Sequence, residues 1–303
     1  MGLLPMDIDI LPPSDDRVFK LILTSPEAKP GLIRLIAGVI GRPVIDVTVH
    51  NNELPVSDTM EKAERFDVNC VINDGSQINL EMQASRIEEE PGGEHRNLKG
   101  KSIYYLCDLH SSQSSKGQRR YDRLARSYQI TFCSYTVFPN RSGYVNPYSM
   151  RHDLDNELLH DAVRVVFVEL SKLEEILLKP VETMTDLEKF AVFFQYAPSQ
   201  EHRGIVNKII ESEEVLKVAG SLLMNISQDE RERAIFRSRR KFQTDMDSNL
   251  ATAEARGEAK GEARGENKKA FEVARNALRK KMTVEDIIDL TGLTREEIEG
   301  LSG

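Results

Sequence analysis

The sequence predicts an α/β protein, a mixed sheet flanked by helices and followed by a helical region and a helical tail. Three observations carry that expectation. Over residues 1–175, segments that alternate apolar and polar residues are interleaved with segments of helical spacing. Over 176–248 the spacing is helical throughout, and over 249–303 the composition changes sharply to an Ala/Glu/Gly/Lys/Arg repeat. The chain is also long for one core at 303 residues. The expected division is a core over 1–175, a helical region over 176–248 and a charged tail over 249–303.

The elements follow in order. Asp15 and Asp16 precede a helix with Val18, Phe19, Ile22 and Leu23 on one side. After Pro26 and Pro30 a second helix runs through Leu32, Leu35, Ile36 and Val39 to a stop at Gly41. Alternation over 44–51 predicts a strand. Two more strands, 65–72 and 77–84, are separated by Asn73-Asp74-Gly75-Ser76, a turn because Gly and Asn/Asp accept positive φ cheaply. Residues 96–126 read as helical with an interruption at 111–118. The apolar run 127–138 predicts a strand buried on both faces, and 163–170 another. Residues 187–197 and 213–224 have helical spacing. In the tail, Gly257, Gly261 and Gly265 repeat every fourth residue between charged neighbours, which suits a semi-flexible helical linker. Beyond Met282 come two short helices opened by Thr residues, with Thr294 and Glu297 spaced as a capping box. The second of the pair lacks the basic residues that DNA reading would require.

Composition excludes several classes. No apolar run approaches the ~18 residues of a membrane span, and the segment 31–41 is short and carries Arg34. The opening residues are acidic and Pro-rich without a basic region ahead of an apolar core, so no secretory signal is read and a cytoplasmic location is expected. Cys70, Cys107 and Cys133 lack zinc spacing and are expected to be small buried residues. A net charge of −8 argues against a protein that coats nucleic acid over its whole surface. Two basic stripes depart from that mean. Lys116, Arg119, Arg120, Arg123 and Arg126 face one acid, Asp122, and six basic residues face two acids over 230–241. Such stripes suit a phosphate backbone, or simply a solvated helix face.

The hairpin over 65–84 holds the candidate chemistry. Side chains alternate along a strand, so Asp67 and Asn69 share one face of its first strand, and Glu81 and Gln83 share one face of its second. Phe66, Val68, Cys70, Leu80 and Met82 face the other way. The acids meet only if opposed residues sum to an even number, which requires an odd loop. A loop centred on Gly75 puts Asp67 opposite Gln83 and Asn69 opposite Glu81, with Asp67 and Glu81 diagonal at ~7–8 Å. Two carboxylates so placed bridge one divalent cation. Mg²⁺ suits oxygen ligands and retained waters, and it promotes phosphodiester hydrolysis. The plainer alternative is an amphipathic hairpin with its polar side in water.

An Asp followed about 14 residues later by Glu-x-Gln across a strand–turn–strand resembles the PD-(D/E)XK nuclease signature. More narrowly, the chain resembles the Rpn family of recombination-promoting nucleases, also described as PD-(D/E)XK nuclease family transposases. The similarity rests on Asp16, Phe19 and Lys20 on the first helix, on 65–83, and on Tyr104, Tyr105 and Tyr121. It continues through 167–172, Lys189-Phe190, the Gly repeat and the terminal 289–301. The resemblance implies a restriction-endonuclease-like fold and a metal-dependent DNA endonuclease linked to recombination or a mobile element. It implies that Asp67 and Glu81 ligate Mg²⁺ or another divalent cation, that the Met82 carbonyl completes the protein ligands, and that Gln83 stands where the superfamily has Lys. A neutral amide orients water but does not offset negative charge, so a catalytically inactive DNA-binding or protein-interaction member of the fold is the alternative. Asp16 and Lys20, one turn apart, are either a surface ion pair or accessory groups beside metal or phosphate. The stripe Lys116–Arg126, expected on the helix after the hairpin, is the candidate DNA contact, and the three tyrosines are expected in core or rim packing. The expected partner is DNA, and the C-terminal helical region is the candidate surface for a homo-oligomer.

Overall fold

The computed structural model describes residues 3–50, 68–84, 96–113 and 120–301. It gathers the chain into two compact units, Met1–Arg233 and Ala234–Gly303.

The first unit opens with α1 (Asp16–Leu23), whose start is fixed by Asp15. That carboxylate accepts hydrogen bonds from the backbone N–H of Arg17 and Val18, a cap that contributes about 1 kcal/mol. The buried side of α1 is Val18, Phe19, Ile22 and Leu23, as the spacing predicts. α2 (Lys29–Ile40) carries Pro30 in its first turn and stops at Gly41, which takes the left-handed conformation at φ 67°.

Six strands form one sheet: β1 (Val47–His50), β2 (Val68–Ile72), β3 (Gln77–Gln83), β4 (Ser127–Cys133), β5 (Val145–Ser149) and β6 (Val163–Glu169). Their order is β1-β2-β3-β4-β6-β5. β1, β2 and β3 are antiparallel neighbours, β3–β4 and β4–β6 are parallel, and β5 pairs antiparallel with β6. The sheet is therefore mixed, with α3 (Arg96–Ser111) lying between β3 and β4 in the chain.

The strands differ from the expected spans at their ends. The first covers 47–50 of the expected 44–51, and residues 65–67 of the second lie outside the described residues. The strand expected over 127–138 leaves the ladder after Cys133, although Tyr135 and Val137 remain buried. β5 was not expected at all: it contains Asn146 and Pro147, and Pro is tolerated there because β5 is an edge strand.

On one face of the sheet, Cys70, Ile78, Leu80, Met82, Ile130 and Phe132 are buried. Phe132 packs on Phe19 of α1 at 5.5 Å between ring centroids and on Phe194 at 5.7 Å. Phe194 belongs to α5 (Asp186–Tyr196), which starts in a capping box between Thr185 and Glu188 and is buried from Leu187 to Phe194. α4 (Glu174–Leu177), α6 (Arg203–Ser212) and α7 (Glu214–Gln228) complete this side, and α7 touches both α1 and α2. On the other face α3 packs over β3, β4 and β6.

α8 runs unbroken from Glu230 to Arg279, through Gly257, Gly261 and Gly265. A Cβ on any of the three would meet no described atom within 4 Å, so no close approach requires them. In the second unit the end of α8 forms a small core with α9 (Val284–Thr291) and α10 (Arg295–Glu299), made of Ala274, Ala277, Ile287, Leu293 and Ile298. The expected capping box is present, with Thr294 and Glu297 bonded in both directions. No described helix is long and apolar enough to cross a membrane.

Candidate active site

The hairpin loop is three residues, Asn73-Asp74-Gly75, closed by Ile72 N–H donating to the Ser76 carbonyl at 3.1 Å. Gly75 sits at φ 84°, a conformation costing a side chain about 1–2 kcal/mol. The loop is odd, as the shared face requires. Its centre, however, is Asp74 and not Gly75, so opposed residues sum to 148 and not 150. Asn69 lies opposite Asn79, not Glu81. The register moves by two positions and the face is unchanged. Asp67 is outside the described residues.

The face under α3 is polar along its centre. Glu81, Asn79, Gln129, Thr131 and Ser127 are all buried, on alternate positions of β3 and β4. Asn79 Nδ2 donates to Gln129 Oε1 at 2.7 Å, and Gln129 Nε2 donates to Glu81 Oε2 and Thr131 Oγ1, each at 3.3 Å. Ser102 of α3 meets Thr131 at 3.4 Å, and His110 Nδ1 meets Ser127 Oγ at 3.0 Å. Burial, and next the neighbouring His160, hold the His110 pKa below its ordinary value, so the ring is neutral near pH 7.

Glu81 is 6% exposed, and burying a lone carboxylate costs several kcal/mol. Its counter-charge comes from α3: Lys101 Nζ forms an ion pair with Glu81 Oε1 while lying 5.2 Å from the Tyr105 ring centroid. The Lys101 side chain keeps 30% exposure, so the pair opens to solvent on the lysine side. Two further buried oxygens on this face, Asn69 Oδ1 and Asn79 Oδ1, have no hydrogen-bond partner among the described residues. A carboxylate beside undersatisfied amide oxygens is a hard donor set that fits Mg²⁺ or a similar cation. Among the described residues no three His, Cys, Asp or Glu side chains gather as a metal cluster. The two buried cysteines stand as thiols. Burial pushes the Cys70 thiol up to about 12, and burial, then Glu169 and Glu81, push Cys133 higher still. Cys107, expected to be buried, is exposed on α3.

The other candidates divide. Gln83, half-buried, is at the end of β3 on the Glu81 face, and the Met82 side chain turns to the apolar face. Asp16 Oδ1 accepts from Arg17 N–H at 2.7 Å, and Arg17 pairs with Glu232. Asp16 and Lys20 are half-buried on a helix packed against the apolar side. Lys116 and Arg119 are outside the described residues. α3 ends at Ser111, so Arg120, Arg123 and Arg126 are not on a helix as expected but in an irregular connection with one 3-10 turn. This connection leads into Ser127, which pairs with Gln77, four residues (about 13 Å) along the strand from Glu81. Arg120 is paired with Asp122 at 2.6 Å and Arg126 with Asp161 at 2.5 Å. Tyr104 and Tyr121 are exposed, at 57% and 72%, and do not belong to the core; Tyr105 lies against Lys101.

Sequence reading missed Lys101, Gln129 and Asn79. The signal for Gln129 was available: with Thr131 it interrupts an apolar strand at period two. Lys101 had none, because nothing in a helix pattern says which strand lies beneath a given flank.

A mixed sheet whose polar central face carries a buried carboxylate beside a lysine defines a restriction-endonuclease-like core. The model of the PD-(D/E)XK nuclease family transposases matches residues 13–253, and the chain belongs to that family. No curated protein and no solved structure matched the chain.

Proposed function

We propose that this chain is a divalent-metal-dependent DNA endonuclease of the Rpn type, hydrolysing phosphodiester bonds in recombination or in the life of a mobile element. The observation that carries the reading is the buried Glu81 carboxylate, paired with Lys101 on a hydrogen-bonded polar face. Asp67 and Glu81 hold Mg²⁺ or another divalent cation, with the Met82 carbonyl as a further ligand. Asn69, two residues after Asp67 in the chain, lies opposite Asn79 on the face that carries Glu81. A cation held there would supply Lewis-acid polarisation of a phosphoryl oxygen and a bound water of lowered pKa. The Gln83 amide would orient the attacking water. With Glu81 engaged by a cation, Lys101 would be released from its ion pair to supply the positive charge that Gln83 lacks, donating to a phosphate oxygen as charge builds there. Asp16 and Lys20 remain accessory candidates. Residues 1–175 are the proposed catalytic core, 176–248 its helical region and 249–303 a tail serving self-association, all in the cytoplasm.

Purified protein is expected to nick plasmid DNA in Mg²⁺, and Asp67→Ala or Glu81→Ala to abolish nicking while the chain still unfolds in one cooperative transition. Equal cutting by wild type and both variants overturns the assignment. Salt-dependent DNA binding without cleavage in any divalent ion supports the inactive DNA-binding alternative. Self-association lost on truncation near residue 248, with no DNA affinity, supports a scaffold.

A further inference from the structure

The expected DNA contact, the 116–126 stripe, has two of its described charges cancelled by carboxylates. A second group of cations is held differently. Lys99 Nζ lies 5.0 Å from the centroid of the Phe138 ring, and the Arg141 guanidinium lies 6.0 Å from the same ring and 5.6 Å from that of Tyr148. Phe138 and Tyr148 pack together at 5.4 Å and both rest on buried Phe167, at 5.3 Å and 6.1 Å. Neither Lys99 nor Arg141 has a carboxylate partner among the described residues. An aromatic face attracts a cation by about 0.5–1 kcal/mol and restricts its side chain, but leaves its formal charge intact. A carboxylate cancels that charge. The rings therefore position two cations that are still able to bind an anion.

Their place in the sheet relates them to Glu81. Glu81 is beside Thr131, and Thr131 beside Phe167, on three successive strands facing α3. At ~4.8 Å per strand, Phe167 lies about 10 Å from Glu81 at the backbone, a span of about three base pairs at 3.4 Å each. Lys101 and Lys99, two residues apart on α3, reach to its two flanks, one to Glu81 and the other to Phe138.

We propose that Lys99 and Arg141, seated on Phe138 and Tyr148, hold the DNA phosphate backbone a few nucleotides from the bond cut at Glu81. The choice of DNA rests on the nuclease reading, but the binding is measurable without cleavage. A fluorescein-labelled DNA duplex is titrated with the full chain in EDTA, by anisotropy, over a series of salt concentrations. Lys99→Ala/Arg141→Ala is expected to weaken binding about tenfold or more and to flatten the salt slope by about 1.8, for two lost phosphate contacts. Arg141→Lys, which keeps the charge, retains the slope. Arg120→Ala/Arg126→Ala, which removes the two carboxylate-paired charges, changes both far less. The proposal is overturned if Lys99→Ala/Arg141→Ala binds as wild type does, if the Arg120/Arg126 pair gives the same loss, or if wild type binds no DNA. If wild type binds in this way yet never cuts in Mg²⁺, the nuclease reading fails and this surface stands.

Discussion

The two faces of the central sheet are built by the same strands, one residue apart, and they have opposite composition. Cys70, Ile78, Leu80, Met82, Ile130 and Phe132 make one face that excludes water. One step along, Asn79, Glu81, Gln129 and Thr131 are just as buried but form a hydrogen-bonded lattice. The first face stabilises, by about 1.5–3 kcal/mol for each fully buried large apolar side chain. The second contributes little net stability, because its hydrogen bonds largely replace those lost to water. Stability and chemistry are thus separated by a single position along the strand, and the loop around Asp74 keeps them apart.

The comparison breaks most severely on the apolar side. Phe132→Ala removes a ring touching both Phe19 and Phe194 and is expected to cost about 3–5 kcal/mol in urea unfolding. A loss below ~1 kcal/mol would mean this face is not the main core. On the polar side, Lys101→Met is expected to lower the cleavage rate about 100- to 1000-fold, the range for losing one charge-stabilising donor, with a far smaller loss of stability than Phe132→Ala. Lys101→Arg should recover part of the rate. The metal titration adds a reading that a structural role would not move: without its competing cation, Glu81 in Lys101→Met should bind Mg²⁺ at least as tightly as wild type does. Weaker Mg²⁺ binding together with lost activity would reduce Lys101 to a packing residue.

Between the faces stands the loop. Gly75→Ala puts a side chain at φ 84° with ordinary contact to Ala125 only, so the expected loss is conformational, about 1–2 kcal/mol by melting. No loss would show that the loop relaxes. The smallest effect concerns His110. Its folded pKa is lowered, so the unfolded chain takes up the proton first as pH falls. The stabilisation is complete above about 6.5, the ordinary histidine value, and declines below it. The difference in melting temperature between wild type and His110→Gln should therefore shrink from about pH 7.5 to about pH 5.5. A constant difference would remove the histidine from the acid response.

Periodicity made much of this legible. The alternation over 77–84 placed Glu81 and Gln83 on one side of β3, and the parity of the turn put Asn69 on the same side. What periodicity does not carry is offset: an even sum is satisfied by 148 as well as by 150, and only the Ile72–Ser76 closure chooses. Lys101 was illegible for a related reason, since its role depends on how α3 is rotated over β3. The stripe misled because Arg-rich residues at near-helical spacing look alike in a helix and in a loop, and because Asp161, which cancels Arg126, is 35 residues away. β5 was hidden by Pro147, which local propensity reads as a break.

That proline has a further consequence. Glu169 N–H donates to the Tyr144 carbonyl at 2.7 Å, so the even positions of β5 turn their backbone toward β6 and the odd ones turn it outward. Pro147 is therefore on the outward set, exposed, with no N–H to offer. A foreign strand approaching this border finds a missing donor midway along a five-residue edge. The missing donor interrupts any ladder that a foreign strand could build on that side, one of the devices by which an edge strand resists templated growth.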